Sequence, residues 1–172
     1  MRCAAFLLLS GISLACGVSG PAFAQAPGVI RPSPRDPYGD YIAEAAQRFQ
    51  LPAAWIRAIL AAESNGDARA LSPKGAMGLM QIMPATWASL RARYRLGADP
   101  YDVRDNIMAG AAYLRAMHDR YGNASAMLAA YNAGPGRYDD YLSRGRPLPP
   151  ETVGYLAQLT AVVGSAGAAD VA

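Results

Sequence analysis

Cysteine is nearly absent: the 172 residues hold two, Cys3 and Cys16, both within the first segment. Beyond that segment neither a disulfide framework nor a thiolate metal site can be assembled. Histidine is scarcer, with His118 alone, set mid-helix beside Asp119 where a surface residue is expected. Lysine is also single, at Lys74. Lys and Arg number 16 against 13 Asp and Glu, a formal charge of +3. Such a mild excess, with no dense Lys/Arg stripe, speaks against nucleic acid and suits an anionic polymer. The apolar run Ala4–Ala15 has only about a dozen residues, short of the roughly 20 that span a bilayer. No stretch alternates with period two for long enough to predict a sheet, although a small β piece in the loops stays open.

What is present divides the chain. Arg2, the apolar run and the small-x-small pattern Ala22-Phe23-Ala24 predict a secretory signal over residues 1–24. Ser13-Leu14-Ala15-Cys16-Gly17 resembles a lipoprotein cleavage box, but Ser13 stands where an aliphatic residue is wanted. Residues 25–37 carry four prolines and few apolar side chains, the pattern of an extended linker. A globular part is expected over 38–163, followed by a small-residue, frayed tail over 164–172. One domain of this size buries roughly two-thirds of its unfolded surface, enough to fold on its core alone.

That domain reads as all-α. Tyr41, Ile42, Ala45, Ala46 and Phe49 give helical periodicity over residues 38–50. Pro52, Pro84 and the pair Pro149-Pro150 each suit the first turn of a helix, running to about Ala62, Tyr94 and Val163 respectively. Asp105 is the expected cap of a longer helix to Tyr121, and Asn123 of one to Tyr131. Gly134-Pro135-Gly136 is expected to stop that helix, with Asp139 and Asp140 on a solvated face.

Ile56, Ile59 and Leu60 form the apolar stripe of the second helix, and Glu63 falls on it, four residues after Ile59. A carboxyl at the core edge is partly desolvated, which raises its pKa, and the nearby helix C-terminus pushes the same way. A carboxyl kept protonated near neutral pH is what a general acid requires. Taken by itself, the position also fits a salt-bridged glutamate at a helix end.

Further signals occur in order. Glu63-Ser64 is followed by Gly78-Leu79-Met80-Gln81-Ile82, then Ala130-Tyr131-Asn132-Ala133-Gly134, then Glu151-Thr152 with Tyr155. Together they resemble the family 1 lytic transglycosylases, the SLT domain related to goose-type lysozyme, across about residues 38–163. The resemblance implies a single compact helical, lysozyme-like domain acting on peptidoglycan glycan strands. It implies Glu63 as the catalytic acid and then base, with Ser64 fixing the helix end beside it. Met80 and Gln81 would line the sugar cleft, Tyr131 and Asn132 would lie near the scissile sugar, and Tyr155 would approach the glutamate. The reaction implied is cleavage between N-acetylmuramic acid and N-acetylglucosamine, closing a 1,6-anhydro ring, with no metal or cofactor.

Ordinary glycosidases need two carboxylates. Asp67 lies in a polar loop, while Asp99, Asp102 and Asp105 are explained by turns and caps. A one-carboxylate site fits the transglycosylase. The rivals are a muramidase of the same fold and a weakly active cell-wall-binding assembly factor. A signal, a linker and one bare domain resemble the small enzymes that open the wall locally for secretion systems or conjugation. A periplasmic monomer is expected, with secretion or conjugation proteins as candidate partners and no nucleic acid.

Overall fold

The computed structural model describes residues 36–169, with side chains through Gly164. The expected leader, most of the linker and the last three residues lie outside the described residues. Seven helices occupy the described part: α1 (Gly39–Phe49), α2 (Ala53–Ser64), α3 (Pro84–Tyr94), α4 (Val103–Tyr121), α5 (Ala124–Ala133), α6 (Pro135–Arg144) and α7 (Pro150–Ala169). There is no strand among them. The loop between α2 and α3 carries two isolated bridges, Leu71 to Met77 and Met77 to Ile82, the small β piece left open above. No helix among the described residues is long and apolar enough to cross a membrane.

The helix α4 forms the axis of the fold. It buries Ile107, Met108, Ala109, Gly110, Ala111, Ala112, Leu114 and Met117, more than one face of a helix. Such a helix needs neighbours on several sides, and α1, α3, α5 and α2 pack on it. The small residues allow close approach. A Cβ placed on Gly110 would lie 2.5 Å from Met80 Cβ and Cγ, so only glycine admits that side chain. In turn α5 packs on α7, and α7 on α2. The Trp55 indole of α2 donates to the Val163 carbonyl of α7 at 2.8 Å, joining positions 108 residues apart.

The caps correct the sequence reading in one place and match it in another. Asp102, not Asp105, caps α4, its side chain accepting from the Asp105 amide at 2.9 Å. Asp105 instead accepts from the Gly97 amide at 2.6 Å. Asn123 caps α5 as expected, accepting from Ala126 at 2.9 Å.

Gly134-Pro135-Gly136 ends α5 as expected, but a further helix begins at the same turn. Gly134, at φ +84°, closes α5 and opens α6, and Pro135 takes the first turn. Asp139 and Asp140 belong to α6, where they pair with Arg120 and with Arg144 and Arg146. Helix α7 continues six residues beyond Val163, to Ala169.

Candidate active site

Glu63 stands in the last turn of α2, whose buried Trp55, Ile56, Ile59 and Leu60 fix the helix against the core. Asn65 ends the helix in the left-handed region. The Ser64 hydroxyl donates to the Leu60 carbonyl and accepts from the Gly66 amide, so it holds the helix end. Glu63 opens into a cleft of about 520 Å³, whose wall does not include Ser64. The Ser64 hydroxyl is thus engaged by the backbone and lies outside the cleft wall.

Burial lifts the Glu63 carboxyl from 4.5 to about 7, while the Tyr155 hydroxyl pulls it back down. Tyr155 lies one turn into α7 and is buried. Its hydroxyl makes no hydrogen bond of ordinary geometry, yet it faces Glu63 closely enough for each to act on the other. Burial first, and then the charge of Glu63, drive the Tyr155 phenol far above its usual range. It is thus a neutral donor aimed at an acid poised between its two forms.

Tyr131 forms the next part of the wall. It sits near the end of α5, and burial, followed by the charges of Glu63 and Tyr113, raises its phenol strongly. Its hydroxyl donates to the Met80 carbonyl at 2.9 Å. Met80 itself is not a cleft residue. Its side chain is fully buried against Gly110, because the turn at Gly78 directs it inward, and its backbone carbonyl meets Tyr131.

That turn is held from below by Asn106, a side chain with no signal in the sequence beyond being a lone amide in an apolar helix. Asn106 is 1% exposed. It accepts from the Met80 amide at 2.8 Å and donates to the carbonyls of Pro100 and Met77 at 2.8 and 3.0 Å. A Cβ on Gly78 would sit 2.4 Å from the Asn106 amide nitrogen, and Gly78 has φ +73°. Both facts require glycine.

Gln81 does line the cleft. Its backbone is left-handed, φ +47°, and its side-chain nitrogen donates to Gly78 and Ala70 carbonyls at 2.9 and 3.2 Å. Its Oε1 remains as an acceptor. Asn132 shows the reverse polarity: its Oδ1 accepts from the Thr152 hydroxyl at 2.8 Å, leaving Nδ2 as a donor.

Tyr113 and Arg137 are among the wall residues that went unremarked in the sequence. Tyr113 of α4 lines the cleft with its ring 5.3 Å from that of Tyr131. Arg137, in the first turn of α6, lines it as well.

One other carboxylate borders the cleft. Glu151, at the start of α7, is exposed and pairs with Lys74 at 3.3 Å. Its own backbone amide first, and then Lys74, hold its pKa below the usual carboxylate value. It is not among the groups that shift Glu63. Asp67, Asp99, Asp102, Asp105, Asp139 and Asp140 do not line the cleft. Among the described residues no cluster of three His, Cys, Asp or Glu is placed to hold a metal. His118 lies away from the cleft, half-buried with its ring 5.7 Å from Trp55.

Chemically, this is a groove with one proton donor of near-neutral pKa, a neutral phenol directed at it, and amides of opposite polarity beside it. The comparisons with known proteins agree with that description. Residues 40–150 match the transglycosylase SLT domain. The "Transglycosylase" of Enterobacteria phage PRD1 is 41% identical over 93 residues, covering 54% of this chain and 33% of its own. The "Soluble lytic murein transglycosylase" of Escherichia coli K12 is 35% identical over 117 residues, covering 63% of this chain and 18% of its own. The chain thus spans a third or less of the length of these relatives.

Among solved structures, an inactive glutamate-to-glutamine mutant of the lytic transglycosylase Slt from Pseudomonas aeruginosa superposes with a TM-score of 0.66 at 31% identity. It covers 74% of this chain and 23% of that one. The complex of a 70-kDa soluble lytic transglycosylase with bulgecin A gives 0.65 at 32% identity, over 73% and 23% of the two chains. The helical architecture, the ordered motifs and the glutamate-centred cleft meet in one conclusion: the chain belongs to the transglycosylase SLT domain family.

Proposed function

We propose that this protein is a peptidoglycan lytic transglycosylase that cleaves the β-1,4 bond between N-acetylmuramic acid and N-acetylglucosamine. The observation that carries this reading is Glu63, poised at about 7 in a cleft whose other carboxylate, Glu151, is paired with Lys74 at the rim. Protonated Glu63 gives its proton to the glycosidic oxygen as the C1–O bond breaks. The acetamido group of the substrate stabilises the charge on C1. Glu63, now a carboxylate, takes the proton of the muramic acid C6 hydroxyl, whose oxygen bonds to C1. The 1,6-anhydro ring closes, Glu63 is reprotonated, and no water is consumed.

The other residues act around that proton. Tyr155 donates toward the carboxylate form of Glu63, which eases its ionisation and suits its second role as base. Gln81 Oε1 and Asn132 Nδ2 offer an acceptor and a donor to sugar amide and hydroxyl groups. Ser64 and Met80 position the backbone near the site.

A muramidase of the same fold would need a second carboxylate to activate water, and the one other that borders the cleft, Glu151, is exposed and paired with Lys74. The two readings differ by one water in the product. Mass spectrometry of digested sacculi should show anhydro-muramyl ends that the Glu63→Gln variant does not produce. Reducing muramic acid ends alone would replace transglycosylation with hydrolysis. An unreduced rate in Glu63→Gln would remove Glu63 from the chemistry altogether and favour a binding factor.

The signal-like first 24 residues support export to the periplasm, where the glycan lies, with lipidation at Cys16 as the alternative. A further proposed role is local opening of the wall during assembly of a secretion or conjugation apparatus. A deletion strain with unimpaired secretion and conjugation would overturn that role while leaving the activity in place.

A further inference from the structure

The charges of the cleft do not balance. Four charged side chains line it: Glu63, Lys74, Arg137 and Glu151. Lys74 and Glu151 neutralise each other across 3.3 Å. Glu63 is largely uncharged below neutrality because burial lifts it. That leaves Arg137.

Arg137 is partly exposed, and no carboxylate pairs with its guanidinium among the described residues. Both acids on its own helix are engaged elsewhere: Asp139 with Arg120 and Tyr121, Asp140 with Arg144 and Arg146. The contacts Arg137 does make are to main-chain oxygens. Nη1 donates to the Arg146 carbonyl at 3.2 Å, and Nη2 donates to the Pro147 carbonyl. These two bonds hold the planar head in place and cancel none of its charge. A guanidinium has five N–H donors in a fixed fork matched to a carboxylate, so three donors and a full positive charge remain.

A fixed cation with free donors on the wall of a binding groove favours an anionic group on the ligand, because charge-assisted and forked hydrogen bonds to a carboxylate are the strong ones. The sugar rings of a glycan strand carry no charge. The lactyl arm at C3 of muramic acid does: it ends in a carboxylate, or in a peptide that bears carboxylates.

We propose that Arg137 is a specificity residue that binds a carboxylate carried on the lactyl arm of the muramyl sugar. This rests on the peptidoglycan reading given above. It also gives the groove a polarity, because one sugar of each disaccharide has the arm and the other lacks it. A guanidinium fixed on one wall then favours the register that sets the arm-bearing sugar beside it. Arg137 is not among the groups that shift Glu63, so it acts on binding and register and leaves the acid strength of Glu63 alone.

The test is affinity in the full chain carrying Glu63→Gln, which removes turnover. Four probes are compared: a chitooligosaccharide, peptide-stripped glycan with free lactyl carboxylates, the same glycan with those groups amidated, and peptide-bearing glycan. Adding Arg137→Gln should weaken binding of a carboxylate-bearing probe roughly tenfold, the scale of one charged hydrogen bond. Binding of the chitooligosaccharide and the amidated glycan should stay unchanged. Arg137→Lys should restore part of the difference, since it keeps the charge but loses the fork.

Loss confined to the peptide-stripped glycan assigns the lactyl carboxylate itself; loss confined to the peptide-bearing glycan assigns the peptide. Equal loss on all four probes would mean that Arg137 only supports the 145–149 loop, and the proposal falls. No loss on any probe overturns it as well. If the Glu63→Gln parent binds none of the four, the peptidoglycan reading fails first.

Discussion

The Thr152 hydroxyl donates to Asn132 Oδ1 at 2.8 Å, so the first turn of α7 fixes the amide that ends α5. Thr152 has no exposed surface, and its hydroxyl has one partner. The bond decides which end of the amide faces the groove. Thr152→Val keeps the shape and removes the donor. It should lower kcat/KM about tenfold, the upper end for one neutral hydrogen bond, while the melting temperature moves little. Rates on soluble glycan fragments, alongside a thermal melt, check this; an unchanged rate would remove the orienting role.

Glu63 links stability to pH with a definite sign. Its folded value of about 7 lies above the unfolded value of 4.5. Between those limits the folded state holds more proton than the unfolded one, so stability falls as pH rises through the window. The contribution lost is up to about 3 kcal/mol. Glu63→Gln abolishes it. The variant should melt above the wild type at pH 8 and near it at pH 4, the gap opening between 4.5 and 7. Parallel melting curves across that range would count against the raised pKa.

Activity should follow the protonated form of the same group, with the falling limb shifted to higher pH than a free carboxyl would give. The acid form begins the reaction, so kcat/KM should fall as pH climbs past about 7. Tyr155→Phe deletes the hydroxyl that pulls Glu63 down, and the falling limb should move to higher pH. A limb that stays in place would separate Tyr155 from the acid.

Asn106 bears on the groove without touching it. Asn106→Ala leaves the Met80 amide and the Met77 and Pro100 carbonyls without their buried partner. A destabilisation of about 2–4 kcal/mol is expected, measurable as a drop in the denaturant midpoint. Gly110→Ala should act on the same turn from the other side, by pressing a methyl group into Met80.

Much of this arrangement is legible before folding. The period of Ile56 and Ile59 places Glu63 on the buried stripe, because helical geometry alone decides that. Proline placement finds α3 and α7 for a local reason, the missing donor at a helix start. The same rule applied to Pro135 would have found α6. It was masked because Gly134 is a stop for one helix and the entry to the next.

Other features had no local signal. Met80 faces inward because Gly110, thirty positions away, makes room for it. Asn106 reads as a polar interruption of α4 until the loop lies across it. Tyr113 shares the face of a helix that looks like core, and only the gap between α4, α5 and the 72–86 segment makes that face a wall. Motif order locates such residues without saying which side of the chain they face.

The bond between the Trp55 indole and the Val163 carbonyl has one more consequence. Trp55 is on the helix of Glu63, and Val163 is on the helix of Tyr155. The emission of a buried indole depends on whether its N–H is held, so any parting of acid and phenol is reported as a spectral shift. With only Trp87 as a second tryptophan, a Trp87→Phe protein would carry a single built-in optical gauge of its own catalytic spacing.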